Sequence, residues 1–278
     1  MINFNYHIHS SFSDGRAPLW HMTQKAHQLG FKYIAITDHG PLPFENEWSI
    51  PQAERKAYIK MLDEQKELYP DMTIFRGLEL DYIPDTSRDF EELKELWQLE
   101  LVIGSVHLVK HPENGKLWFI DGPKENFDNG LESIFNLDIK KGVITYFNQI
   151  QQMIKTQKPD IIGHIDKIRM NNKDRYFSDS EPWYIEKLEE TLNTVKGCNC
   201  ILEINTRGFY KGKTHDLFPS DYALRLIKEY EIPVTLNTDA HRPDEITAGH
   251  DEAIIRLKDS GIGTVKYLTP EGWKDYAL

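Results

Sequence analysis

Short apolar runs and longer amphipathic stretches alternate along this chain. Runs rich in Ile, Val, Leu, Phe and Tyr lie near residues 2–8, 33–37, 74–80, 101–107, 160–164, 200–205 and 233–238, with a weaker one at 264–268. Their length and composition predict strands. Between them, apolar residues recur at helical spacing. The stretch 19–30 does so and ends on a glycine, and 52–69 is charged and amphipathic. In 138–156, Val143, Phe147, Ile150 and Ile154 fall on one helical face. Residues 220–230 open with a capping Ser or Asp and end before Pro233, and 243–258 reads as another helix.

Strands that alternate with helices predict a parallel sheet with right-handed crossovers. Seven or eight such units close into an α/β barrel, whose active site lies at the C-terminal ends of the strands. Two stretches, 40–51 and 109–137, break the rhythm with Pro, Gly, Asn and aromatics and are expected to be irregular loops that wall a pocket. The 278 residues contain no repeat and no long linker, so residues 1–278 are expected to form one domain.

The strand ends carry the candidate chemistry. Six of the eleven histidines lie there, and the first group, "HIHSSFSDG", holds His7, His9 and Asp14. Then follow "ITDHG" with Asp38 and His39, "GLELD" with Glu79, "GSVH" with His107, "GHID" with His164 and "NTDAH" with Asp239 and His241. A lone His-x-His is more often a surface coincidence than a site. Alternate residues of a strand face the same way, however, so His7 and His9 can reach one ion. The recurrence at strand after strand is hard to produce by chance. An open sheet could not bring its outer strands to one point, which favours a closed barrel. Nine ligands without a cysteine are too many for one tetrahedral structural zinc and suit a multinuclear catalytic site.

Charge narrows the substrate. The net charge is −11 and the 33 Lys and Arg are scattered, which disfavours nucleic acid but not a small phosphorylated molecule. Cys198 and Cys200 read as small core residues of the strand "CILEIN", and so low a cysteine count fits a reducing interior. His7 already belongs to the proposed site, so no removable leader is expected before it. No apolar run is long enough to span a membrane. A cytoplasmic location is therefore expected.

In their order, "HIHSSFSDG", "ITDHG", "GLELD", "GSVH", "GHID" and "TDAH" resemble the polymerase and histidinol phosphatase (PHP) superfamily. The likeness runs from residue 7 to residue 241. The ordered set is specific although each piece is weak. "GSVH" and "NTRG" further resemble the stand-alone histidinol-phosphate phosphatases of histidine biosynthesis. The resemblance implies a distorted (β/α)7 TIM-like barrel and three divalent ions (Zn, Mn or Fe). It places His7, His9, Glu79 and Asp239 on the first ion. Glu79 bridges to a second held by His107 and His164, and Asp14, His39 and His241 hold the third. Three such ions against three carboxylates leave roughly +3 locally.

The implied reaction is metal-assisted hydrolysis of L-histidinol phosphate, a phosphomonoester. Glu79, Asp239 and His241 are the catalytic candidates, the last two by family position as proton donors to the leaving alkoxide, with a metal-bound water as the equal alternative. Arg169 and Arg207 are candidate phosphate ligands, because a guanidinium fork matches phosphate oxygens. Asp38 either orients a neighbour or closes a turn. Glu45 and Glu113 are candidates for the substrate's amine or imidazole, and the tryptophans read mainly as barrel packing, although Trp48 and Trp118 fall in the pocket loops. His21, His27 and His250 read as ordinary helix residues. His111 and His215 read mainly as ordinary residues outside the site, with the pocket mouth as the alternative. Two other functions stay open: a PHP phosphoesterase of nucleotides or oligonucleotide ends, and a non-catalytic metal-binding regulator.

Overall fold

The computed structural model describes residues 2–198 and 200–278. Its strands are β1 (Phe4–Asn5), β2 (Tyr33–Ile36), β3 (Thr73–Asp81), β4 (Leu101–Ser105), β5 (Leu108–Lys110), β6 (Leu117–Phe119), β7 (Ile161–Ile162), β8 (Ile201–Asn205), β9 (Val234–Asn237), β10 (Thr264–Thr269) and β11 (Gly272–Ala277). Seven of them form one sheet in the order β1-β2-β3-β4-β7-β8-β9, and every neighbouring pair is parallel. The sheet curls until its two edges meet. Beyond β1 and β9 a parallel bridge joins Ile8 to Ala240, with His9 N–H donating to Ala240 O at 2.8 Å and Ala240 N–H to His7 O at 3.1 Å. The fold is a seven-stranded TIM-like barrel surrounded by helices.

Helical faces supply the outer layer. In Ile139–Gln157 the buried Val143, Tyr146, Phe147, Ile150, Met153 and Ile154 recur every three or four residues, and burying each such side chain contributes roughly 1.5–3 kcal/mol. Leu19–Gln28 buries Leu19, Met22 and Ala26, and the chain turns away at Gly30, whose φ of +79° suits glycine. Ser220 caps Asp221–Glu229 by accepting from Ala223 N–H. The helices Phe90–Trp97 and Pro182–Lys196 fill gaps between the strands. No helix among the described residues is long and apolar enough to cross a membrane.

Several expectations change. The stretch 109–137 is not one irregular loop: it holds the β5–β6 hairpin and the helix Lys124–Phe135. Glycines concealed the helix. A Cβ on Gly130 would stand 2.2 Å from Trp118, so this glycine makes room for the indole rather than breaking the helix. Trp118 is accordingly a core residue whose Nε1–H donates to Phe127 O. The run 264–268 does not join the barrel, which β9 has already closed against β1; it forms an antiparallel hairpin with β11. The helical stretches 52–69 and 243–258 each begin with a short 3-10 turn. Cys198 and Cys200 precede β8 rather than lying in it, and Cys198 is only partly buried.

The two ends of the barrel differ. At the strand starts, Phe4 stacks on Tyr267 and meets Tyr276 edge-on, while Tyr6 meets Trp273. The Tyr6 hydroxyl donates to Leu268 O and accepts from Leu268 N–H, which ties the β10–β11 hairpin across this end. The strand ends carry the histidines.

Candidate metal centre

The first strand turns from aromatic to ligand within a few residues. Past Tyr6, His7 and His9 are both fully buried, with ring centroids 5.0 Å apart. The segment then folds back so that Asp14 returns to the mouth. This needs a glycine next to it: a Cβ on Gly15 would lie 2.6 Å from the Ser10 backbone. Asp38 pins the turn, accepting from Ser10 N–H and Ser10 Oγ–H at 2.7 Å each and from Ser13 Oγ–H. Burial pushes the Asp38 carboxyl up to about 6 despite these donors.

Glu79, on β3, lies at the centre. Its Oε2 is 3.2 Å from His7 Nε2, 3.5 Å from His9 Nε2 and 3.2 Å from His39 Nδ1. Its Oε1 faces the other way, 2.9 Å from His164 Nε2 and 3.6 Å from His107 Nε2, and accepts from Ser105 Oγ–H at 2.6 Å. Asp239 approaches His9 Nε2 at 3.4 Å and His7 Nε2 at 3.9 Å. On the outer side, Asp14 is 3.1 Å from His241 Nε2 and 3.8 Å from His39 Nε2. Asp14 also lies 3.8 Å from His9 Nδ1, so His9 touches both groups.

Ligand-type atoms gather within 4.8 Å of one another in four overlapping sets: His9-Asp14-His39-His241, His7-His164-Asp239, His7-His9-Glu79 and His39-Glu79-His107. All nine residues singled out in the sequence meet here. A cation fits this donor set. His7 Nε2, both ring nitrogens of His9, His39 Nδ1 and Asp14 Oδ1 are buried without a hydrogen-bond partner, which is costly unless a further group binds them. The electrostatics agree. Burial alone would raise Glu79 and Asp239, yet the surrounding histidines, joined at Asp239 by Arg207 and Lys167, hold both carboxyls well below their usual range. Burial opposes charge on His7, but Glu203, Glu79 and Asp239 outweigh it and lift the imidazole well above its ordinary value. The pocket is a buried concentration of negative charge that draws in positive charge.

Residues not singled out in the sequence hold the ligands in place. Glu203 accepts from His7 Nδ1–H at 2.6 Å and from His164 N–H at 2.9 Å. Asp81 accepts from the ring Nδ1–H and the backbone N–H of His107, each at 2.9 Å. Each carboxylate thereby presents Nε2 of its ring toward the pocket. Both were visible as a charge inside an apolar strand, in "ILEIN" and "LELD", and alternation puts Asp81 on the same face as Glu79. Lys167 Nζ and Asp121 pair at 2.8 Å beside His107 and His164. Burial opposes the ammonium, but Asp121, Asp239 and Glu79 keep it charged.

The two arginines part company. Arg207 reaches the cluster: its Nη1–H donates to Asp239 O at 2.8 Å. Asp239 has a left-handed φ of +53°, which aspartate tolerates better than most residues. Arg207, Tyr210 and the His241 ring all lie against that carbonyl and hold it. Glu245 accepts from His241 N–H at 2.9 Å and pairs with Lys211. Arg169 is not brought to the cluster. Its guanidinium is buried among Asp166, Asp216 and Leu217 O, so it is spent on locking loops together. Glu113 pairs with Lys141 on the surface, and Glu45 is exposed on the 41–52 loop. Trp48 stacks on Phe119 at 5.0 Å, joining that loop to the β5–β6 hairpin. His111 is buried in that hairpin against Phe135.

A parallel barrel that gathers histidines and carboxylates at its strand ends has the architecture of a catalytic metal site, and relatives place it further. The PHP domain model matches residues 5–207, and the chain belongs to that family; it is a PHP phosphoesterase. It is 26% identical over 250 residues to the "Probable histidinol-phosphatase" of Deinococcus radiodurans, covering 88% of each chain. It is 23% identical to the "Histidinol-phosphatase" of Bacillus subtilis over 90% of this chain and 97% of that one. The histidinol phosphate phosphatase of Lactococcus lactis, solved with zinc, L-histidinol and phosphate, superposes with a TM-score of 0.70 at 19% identity over 98% of each chain. Asp239 and His241 lie beyond the matched segment and join the site through the fold.

Proposed function

We propose that this chain hydrolyses L-histidinol phosphate to L-histidinol and phosphate with three divalent ions, Zn, Mn or Fe. The observation that carries the reading is Glu79, whose two oxygens face different histidine sets. That arrangement suits one carboxylate between two ions. His7, His9 and Asp239 would complete the first ion's set, and His107 and His164 the second's. Asp14, His39 and His241 would hold the third. Names of full-length relatives support the substrate, and the family supports the reaction class.

Bound divalent ions supply Lewis-acid polarisation of phosphoryl oxygens and activation of water near neutral pH. The chain's own groups do the rest. Arg207, partly exposed at the rim, offers its free guanidinium N–H groups to phosphoryl oxygens. Asp239 and His241 stand beside it; the ionised Asp239 accepts rather than donates protons, and solvent at the rim is the other source of the proton that the leaving alkoxide needs. Glu203 and Asp81 keep His7 and His107 turned inward. Buried walls exclude bulk water and strengthen each of these interactions.

The test is phosphate release from L-histidinol phosphate and from a panel of unrelated phosphomonoesters, by protein loaded with Mn, Zn or Fe. kcat/KM should favour histidinol phosphate by at least about 100-fold. Equal values across the panel would sink the substrate and leave the phosphoesterase class standing.

A further inference from the structure

Lys167 stands where an ion is wanted. Its Nζ lies 3.3 Å from His107 Nε2 and 3.4 Å from His164 Nε2, and both rings and the lysine are buried. The two imidazole nitrogens are themselves 3.3 Å apart. Asp81 takes the Nδ1–H of His107, which turns its Nε2 toward Lys167 and the pocket. A neutral imidazole nitrogen has one lone pair. It accepts from an ammonium or binds a metal, with Zn–N near 2.0–2.1 Å; it does not do both. Asp121 Oδ2, 2.8 Å from Nζ and 3.9 Å from His107 Nε2, keeps the ammonium at this spot. Among the described residues no lysine or arginine lies against the rings of His7, His9, His39 or His241; Arg207 approaches Asp239 rather than a ring, with Nε 3.9 Å from its carboxylate.

We propose that Lys167 makes the His107–His164 position the exchangeable one of the three, because its ammonium and a divalent cation compete for the space between the two rings and for the inward nitrogen of His107. Asp121 is the carboxylate that retains the ammonium when the cation enters. The protein then keeps its other ions tightly and gains or loses this one with the free metal concentration. This inference rests on the metal reading of the site proposed above, and not on the identity of the substrate.

The test is Mn binding by chelator-stripped protein, followed by calorimetry with metal analysis after equilibrium dialysis. Wild type, Lys167→Met, His107→Ala and the double variant are compared. His107→Ala identifies the phase that belongs to this position. In Lys167→Met that phase should tighten by at least about 10-fold, with the others unmoved. Lys167→Gln, which also removes the ammonium, should reproduce the shift and guards against a folding artefact of Met. In the His107→Ala background the lysine substitution should change nothing. An unchanged or weakened phase would overturn the competition, and so would an equal shift of all phases, the signature of one lost positive charge. Wild-type protein that binds no Mn at all would remove the metal reading as well, whereas binding indifferent to residue 167 removes only this inference.

Discussion

The two ends of one strand show how the barrel divides its work. Phe4 and Tyr6 pack into an aromatic cluster with Tyr267, Trp273 and Tyr276, where the Tyr6 hydroxyl is satisfied by Leu268. A residue further on, His7 and His9 are equally buried, yet their inward nitrogens have no hydrogen-bond partner. The aromatic end holds the chain together by close packing. The mouth concentrates buried polar groups whose cost is met only when something charged binds them. Stability is expected to depend on the first and activity on the second.

The sharpest break is Glu79→Gln. Removing one charge from the group that faces both histidine sets should lower phosphate release by about 10³-fold or more. Far-UV circular dichroism should stay unchanged. Metals should also lose their stabilising effect, which at a hundred times Kd is worth about 2.7 kcal/mol per site. Unaltered turnover in this variant would end the assignment of Glu79.

Phe4→Ala tests the other end. The ring is wholly buried, and its loss should cost about 3–5 kcal/mol in urea unfolding. Turnover by the folded fraction should stay within a few-fold of wild type. A large fall in kcat at full folding would show that the two ends are coupled.

His250 is a histidine outside the mouth, buried near Phe31 with Nε2 unpartnered. Burial lowers it from 6.5 to about 4. The unfolded chain therefore takes up a proton below about 6.5 while the folded protein does not. This contribution to stability is complete above 6.5 and is lost as pH falls toward 4, by up to about 3 kcal/mol. His250→Leu should flatten the stability profile of metal-free protein across that window. An identical slope in the variant would assign the effect elsewhere.

The mildest change is Glu203→Gln. The amide keeps the shape but weakens the hold on His7, so metal affinity should fall about 10- to 100-fold. Competition with a coloured chelator measures it, and wild-type affinity would mean that Glu203 only packs.

Alternation and spacing made the seven barrel strands legible, because each is a short apolar run bounded by turn residues. The β10 run looked the same, and only the prior closure of β9 on β1 decides that it pairs with β11 instead. The helix Lys124–Phe135 was hidden by a glycine whose role is to admit Trp118, a partner that no local pattern names. In the site, residues that lie at strand ends were readable in order. Lys167 and Asp121 were not, since their pairing depends on two loops meeting in space. Arg169 shows the converse: an arginine a few residues after a ligand looks available, and buried carboxylates have already claimed it.

Anomalous diffraction from Mn-loaded crystals tests the division between the two ends most directly. The strand-end cluster should hold the ions, with peaks between His7, His9, Glu79 and Asp239, between Glu79, His107 and His164, and between Asp14, His39 and His241. A loaded, active crystal with no peak among these nine residues would contradict it.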